Sequence, residues 1–318
     1  MLHILVNPQS GNGKGDSARR QIENALHASG RSFRMIVTDA PGDAEAWCRR
    51  FIGSLSDAQP AVRHTIMIVG GDGTLNEAVN GLLSATGGSP LPDRIQLGFI
   101  AAGSGNDYAR GHGLPLLPLA ALEELLSLVD QEQSTVVDAI AANERYAISS
   151  AGAGLDGEVA YTANHAPYKS WFNKLGLGYA AYIVSLLRVL LTYRPVDVTL
   201  EIDGIRTEHA RVWLAAISNI PYYGGGMRIN PAAIADDGIA EICIVGGVSR
   251  LGLLMAFPRV YAGKHILHPA VNFFRGRDIR ILPAAGARLR VHADGEDAGL
   301  APAAMRILPQ AVRILKRK

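Results

Sequence analysis

The stretch Gly70-Gly71-Asp72-Gly73-Thr74-Leu75-Asn76-Glu77 constrains this chain more than any other. It follows Thr65-Ile-Met-Ile-Val69, a short continuous apolar run rich in β-branched residues, which predicts a fully buried strand. Behind it, Ala78-Val-Asn-Gly-Leu-Leu83 spaces its apolar residues as one face of a helix. Three glycines at a strand-to-helix turn let the backbone approach a ligand with its amides free. The helix N-terminus adds a partial positive charge, so the place suits phosphate. Asp72 can reach a phosphate-bound Mg²⁺, and Thr74 and Asn76 can donate to phosphate or cap the helix. A tight turn whose Asp serves its own backbone is the competing reading. The strand before and the helix after favour the phosphate loop.

The same rhythm runs through the first third of the chain. Leu2–Val6 is a buried-strand pattern, Asn7-Pro8-Gln9-Ser10-Gly11-Asn12-Gly13-Lys14-Gly15 a loop, and Ser17 to Ala28 an amphipathic helix. This loop is not a Walker A sequence, because Lys14 precedes Gly15 and Pro8 stands where the first glycine belongs. The dinucleotide pattern fails as well, with Asp16 at its last glycine position. Phe33 to Val37 is a second strand, with Thr38 at its carboxyl end, where open α/β sheets bind ligands. A helix over Ala44 to Ile52 leads to the glycine motif. Ile95 to Ile100 then opens into Gly103-Ser104-Gly105-Asn106-Asp107, again small and polar at a strand-to-helix junction. Ser104 lacks the surroundings of a hydrolase nucleophile elbow. After a helix through Leu119–Val129 the texture changes.

With 318 residues the chain exceeds what one core usually spans, so two domains are expected. Residues 1–134 predict a doubly wound, Rossmann-like α/β domain with a parallel sheet. Residues 135–303 predict an antiparallel β-sandwich. Its strands are Thr135–Ile140, Arg145–Ser150, Asp197–Ile202, Ala210–Ser218, Ala240–Val245, Asp278–Leu282 and Arg288–Ala293. Apolar helices over Leu177–Tyr193 and Leu251–Ala262 interrupt them. The first of these is short for a bilayer span and carries Arg188 in its middle. Met1–Val6 runs straight into a turn and is expected to be a strand, not a signal peptide. Cys48 and Cys243 stand far apart and read as reduced packing residues. A soluble cytoplasmic protein is therefore expected, and its formal net charge of +2 gives no case for nucleic acid.

Three features of the second half carry chemistry. Ala151-Gly-Ala-Gly-Leu-Asp-Gly157 is expected to be a close-approach loop after a strand. Ile234-Ala-Asp236-Asp237-Gly238-Ile239 suits either a hard cation or a plain turn. His292-Ala-Asp294-Gly295-Glu296 places two carboxylates about a turn, where one could take a proton from an attacking hydroxyl. His265 and His268 have no third ligand nearby and read as non-metal.

Together these pieces resemble the diacylglycerol-kinase catalytic family, in its small bacterial lipid-kinase branch. The matching stretches are Asn7–Lys14, Gly70–Glu77, Gly103–Arg110, the Gly152–Gly157 loop, Asp236-Asp237-Gly238 and Asp294-Gly295-Glu296, in the family's order. The glycine motif alone would not suffice, since NAD kinases and phosphofructokinases share it. The resemblance implies an ATP site lined by Asn7, Pro8, Gln9, Ser10, Gly11, Thr38, Gly71, Asp72, Gly73, Thr74, Leu75, Asn76, Glu77 and Ser104. Asp72 would sit beside the Mg²⁺-bound phosphates. Asp237, with the backbone oxygens of Ile234 and Ile239, would hold a structural Mg²⁺, coupled to the nucleotide through Asp236. Asp294 would be the general base with Glu296 beside it, although members differ in which acid takes that role. Ser104 departs from the family's more usual Thr but keeps the hydroxyl. The resemblance also returns residues 304–318 to the first domain.

The expected activity is transfer of the ATP γ-phosphate to a lipid hydroxyl: a diacylglycerol, phosphatidylglycerol or sphingoid acceptor. Such an acceptor implies peripheral contact with the inner membrane face. The helix Leu177–Tyr193 and Arg275, Arg277 and Arg280 are the expected points of contact, with a buried core helix as the competing reading. A homodimer is left open. The alternatives are a superfamily kinase acting on NAD or a soluble alcohol, and a non-catalytic nucleotide- or lipid-binding regulator.

Overall fold

The computed structural model describes residues 1–55, 62–166 and 178–317, with only the backbone for 178–183. Its contacts divide the chain into two compact units: Met1–Asp138 with Leu308–Lys318, and Ala139–Ile307. Leu177, at the start of one expected helix, lies outside the described residues.

In the first unit, β1 (Leu2–Val6), β2 (Phe33–Val37), β3 (His64–Gly70) and β4 (Ile95–Ala101) are all parallel, in the order β2-β1-β3-β4. Parallel strands are covered on both faces, which explains why β1, β3 and β4 read as unbroken apolar runs. Ile4, Val6, Met67, Val69 and Ile100 form one face. They pack against Ile22 and Leu26 of α1 (Ser10–Ala28) and Leu122 and Leu125 of α5 (Pro118–Asp130). Residues between them, such as Leu5, Ile66 and Ile68, are equally buried and point to the other face. The helices α2 (Asp43–Ser54) and α3 (Asp72–Ala85) approach each other closely at Gly81, where a Cβ would lie 2.2 Å from the Glu45 carbonyl oxygen. A short helix, α4 (Asp107–His112), follows β4. The C-terminal segment completes this unit: the Leu315 amide donates to Leu97 at 2.7 Å, and Leu315 joins the same core. Helix α1 takes up regular form, as expected, only beyond the glycine loop, where Gly11, Asn12 and Gly13 have φ of 57°, 60° and 87°.

The second unit is antiparallel. Its elements are β5 (Thr135–Ala142), β6 (Arg145–Ala147), β7 (Ser150–Gly154), α6 (Leu155–His165), α7 (Gly178–Thr192), β8 (Val196–Ile202), β9 (Ile205–Ser218) and β10 (Ala240–Gly246). After them come α8 (Arg250–Ala256), α9 (Pro258–Tyr261), β11 (Val271–Gly276), β12 (Asp278–Pro283), β13 (Arg290–Ala293), β14 (Glu296–Leu300) and the first part of β15 (Ala303–Ile314), whose residues from Leu308 on belong to the first unit. The long strand β9 belongs to two sheets. Val212–Ser218 pairs with β10 and, from Leu214 on, with β7, whereas Ile205–His209 and Val212 pair with β8, which continues to β12 and β15. The switch falls at Arg211, a non-glycine residue at φ 50°, beside register shifts in both partners. Apolar side chains from both sheets, among them Ala153, Ile217 and Val291 on one and Leu200, Ile281 and Met305 on the other, form a single core. That is the expected sandwich.

Three expectations for this unit are corrected. Ala151–Gly157 is no loop: Ser150–Gly154 is a buried strand running directly into α6. The strand expected over Arg145–Ser150 is two strands with a break between them. Helix Leu251–Ala262 is broken at Phe257-Pro258, because proline has no amide to continue α8 and instead opens α9.

Candidate active site

At the carboxyl edge of the parallel sheet, β1 connects outward to β2 on one side and lies against β3 on the other. A crevice is expected where the chain's direction across the sheet reverses. Asn7, the first residue after β1, bridges it: its Nδ2 donates to Thr74 Oγ1 at 3.0 Å, and its Oδ1 accepts from the Gln9 amide. The loops after β1, β3 and β4 touch backbone to backbone, and only glycine permits this. A Cβ on Gly11 would sit 2.2 Å from the Ala102 carbonyl oxygen, and one on Gly103 would sit 2.5 Å from Gly71 Cα. The structure thus brings Asn7–Gly11, Gly71–Thr74 and Gly103–Ser104 to one edge, with Ser104 exposed and Thr74 buried. Thr38 is buried beside them, its amide donating to Val6. Leu75 and Asn76 face the interior instead. Glu77, on α3, is near enough to the Cys48 thiol to add to the upward push that burial gives it.

Asp72 performs a task not foreseen from sequence. Its two carboxylate oxygens accept the backbone amides of Asp107 and Tyr108 at 3.2 and 3.1 Å, so it caps α4 and ties the loop after β3 to the loop after β4. Burial pushes its carboxyl pKa up, against the lowering effect of those amides. Asn106, at φ 56°, closes the second loop by accepting from the Gly103 amide at 3.0 Å.

In the second unit, Asp294 and Gly295 form the two-residue turn between β13 and β14, both at positive φ, as a type I′ hairpin requires. The Asp294 carboxylate accepts three backbone amides, Ile148 at 2.8 Å, Ser149 at 2.9 Å and Ser150 at 2.8 Å. Its own amide donates to Ser150. Glu296 opens the return strand, half-buried, with Asn164 Nδ2 at 3.5 Å. Behind the turn lies a buried pair that sequence reading missed. His292 Nδ1 accepts the Gly295 amide, which leaves Nε2 to donate to Asp156 Oδ2 at 3.1 Å. The two partners are far apart in sequence, so no local spacing could announce them. The space they need is made by Gly152, where a Cβ would meet both.

The Asp236-Asp237-Gly238 segment tests the structural Mg²⁺ implied by the resemblance. Asp237 Oδ1 accepts the Ile239 amide at 3.1 Å, and Oδ2 is paired with the Arg275 guanidinium at 2.7 Å. Arg275 also holds Glu241 at 2.7 Å, its directly opposite partner in the β10–β11 ladder. Burial raises the Glu241 pKa, and the guanidinium offsets this. Asp236 is exposed, as is the side chain of Ile234. These residues do not fit a metal: among the described residues the two acids at the position, Asp237 and Glu241, already share the Arg275 cation.

The second unit also holds an apolar cavity of about 260 Å³, walled by Leu186 and Leu190 of α7, Leu214 of β9, Leu253 of α8, Phe257 at the break and Val260 of α9. Asp156, at the start of α6, is on its wall, and His265, whose Nε2 donates to the Ile229 carbonyl, is another lining residue.

A doubly wound unit with a glycine-built anion cradle, and a sandwich unit carrying fixed acids on a hairpin, are the parts of a phosphotransferase. Comparison with known proteins agrees. Residues 1–141 match the diacylglycerol kinase catalytic domain, and residues 149–316 match the YegS C-terminal NAD kinase beta sandwich-like domain. A diacylglycerol kinase of Staphylococcus epidermidis is 30% identical over 321 residues, covering 99% of this chain and 92% of that protein. One of Mycobacterium tuberculosis is 29% identical, covering 98% and 94%. The crystal structure of a diacylglycerol kinase from Bacillus anthracis superposes with a TM-score of 0.69 at 22% identity, covering 99% of this chain and 96% of that one, and shows the fold. The chain belongs to the diacylglycerol kinase family and is a kinase.

Proposed function

We propose that this kinase phosphorylates the hydroxyl of a lipid, with ATP as donor. The apolar cavity carries the reading. Its walls suit hydrocarbon, and α6 leads from Asp156 on that wall to Asn164, which contacts Gly295 and Glu296 on the acid-bearing turn. A hydroxyl attached to a buried acyl chain would lie toward that turn.

Phosphoryl transfer depends on positioning and charge neutralisation more than on covalent help. The glycine edge of the first unit offers backbone amides and the Asn7–Thr74 bridge to the nucleotide's phosphates. Mg²⁺ enters as the counterion of ATP, and no side chain is assigned to it. Glu296 is the proposed base. The lipid oxygen forms its bond to the γ-phosphorus as the bond to the β-phosphate bridging oxygen breaks, ADP leaves, and the hydroxyl proton passes to Glu296. This moves the base from Asp294, whose oxygens hold three amides and fix the turn.

Transfer of labelled phosphate to a panel of lipids in mixed micelles, with NAD included as a soluble acceptor, tests the reading. Label on one lipid class, reduced about 10²- to 10⁴-fold in Glu296→Gln, is expected. Label on NAD alone would overturn it.

A further inference from the structure

The helices around the cavity present an unusual outer surface. Among the described side chains of α7 the exposed positions are Val184, Leu187, Arg188, Leu191 and, at its end, Thr192, the first four spaced as one face, while Ser185, Val189 and Leu190 are buried. A surface helix facing water normally turns polar residues outward; in its described part this one turns outward three apolar side chains and one cation, with Thr192 at its end. Leu191 is 72% exposed. The pattern continues on α8, α9 and the following 3₁₀ turn (Lys264–Leu267), where Leu254, Met255, Tyr261 and Leu267 are exposed, Leu267 at 84%. Leu187, Leu254 and Tyr261 are at once exposed and on the cavity wall, so the cavity's rim is apolar. Apolar surface of this extent marks a docking face.

Charge identifies what docks. Residues 178–196 and 248–277 contain no Asp or Glu, but they do contain Arg188, Arg194, Arg250, Arg259 and Lys264. On the other side of α7 from the apolar cavity, Arg188, Arg194 and Arg288 line an open depression of about 600 Å³, together with Tyr161, His165 and one acid, Glu158, which is 3.5 Å from Arg290. Of the three cations named for this role from sequence, two are engaged elsewhere: Arg275 is held by Asp237 and Glu241, and Arg280 by Glu201. A second copy of the chain is disfavoured as occupant, because a two-fold contact would set these cations against themselves.

We propose that α7, α8, α9 and the 3₁₀ turn form the face by which this protein docks on an anionic lipid bilayer. The exposed leucines enter the acyl boundary, and Arg188, Arg194 and Arg288 take headgroup phosphates, so that the cavity's rim opens onto the lipids. The cavity's role rests on the lipid-kinase reading; the docking itself does not.

Co-sedimentation without nucleotide, using phosphatidylglycerol-containing and pure phosphatidylcholine vesicles, tests it. Binding to the anionic vesicles, weakened by salt, is expected. Arg188→Glu and Arg288→Glu should each weaken it by at least about fivefold, and Leu191→Asp with Leu267→Asp should weaken both vesicle types' binding about tenfold or more. All four positions are exposed and outside the proposed catalytic groups, so melting temperature and activity on a short-chain, monomeric acceptor should be unchanged. Failure of the wild type to bind anionic vesicles at low salt would overturn the proposal. So would unaltered binding by the variants, or a dimer that these variants dissociate. Vesicle binding with no phosphorylation of any lipid would instead leave docking in place and remove the lipid-kinase reading.

Discussion

The two acids of the hairpin differ in what surrounds them, and that separates their roles. Asp294 accepts three backbone amides of buried residues, so Asp294→Ala removes a charged acceptor and leaves those donors behind. A loss of about 2–4 kcal/mol in urea unfolding is expected. An Asp294→Ala enzyme that is inactive but as stable as the wild type would restore it as the base. Arg275 invites a parallel experiment. Arg275→Ala leaves Asp237 and the more buried Glu241 without their cation, and a loss of about 1–3 kcal/mol is expected once the arginine's own exposure is discounted. Nucleotide-free wild type should melt at the same temperature in Mg²⁺ and in chelator. A rise on adding Mg²⁺, absent with monovalent salt of equal ionic strength, would show a bound metal.

Among the elements, the parallel strands were the most legible, because burial on both faces leaves an uninterrupted apolar run. β11 and the first half of β9 were not, since they alternate irregularly and sit at an exposed flank of the sandwich. The glycine loops announced themselves as sites but not their wiring: Asp72 reads as a metal-facing acid in sequence and serves as the cap of α4 in the structure. Helix α4 also carries a pH dependence. His112 is buried on it against the Tyr108 ring, and burial, with a smaller effect from Lys316, lowers its pKa from 6.5 to about 3. The folded state therefore holds this imidazole neutral while the unfolded chain protonates it. Stability is full above pH 6.5 and falls as pH drops toward 3, by about 2 kcal/mol at pH 5. His3, lowered to about 4 chiefly by burial, acts in the same direction. Urea titrations at pH 7 and pH 5 should show the decline, and His112→Phe should remove its own share of it.

For the molecule as a whole, the decisive feature is the return of the chain's last segment. Ala311, Val312, Ile314 and Leu315 are buried in the first unit, Ala311 accepts from the Leu91 amide, and Arg313 pairs with Asp93. Burial of the three larger side chains is worth about 1.5–3 kcal/mol each, comparable with the whole stability of a typical domain. Deleting residues 308–318 should therefore abolish cooperative folding of the first unit and ATP binding with it. Limited proteolysis should then degrade the first unit while the sandwich core, whose residues all precede this segment, resists. A ribosome making this protein finishes the first unit last, after the sandwich core has been synthesised. A nascent chain cut short before that segment would carry an unfinished first unit, and with it an unfinished version of the proposed donor site.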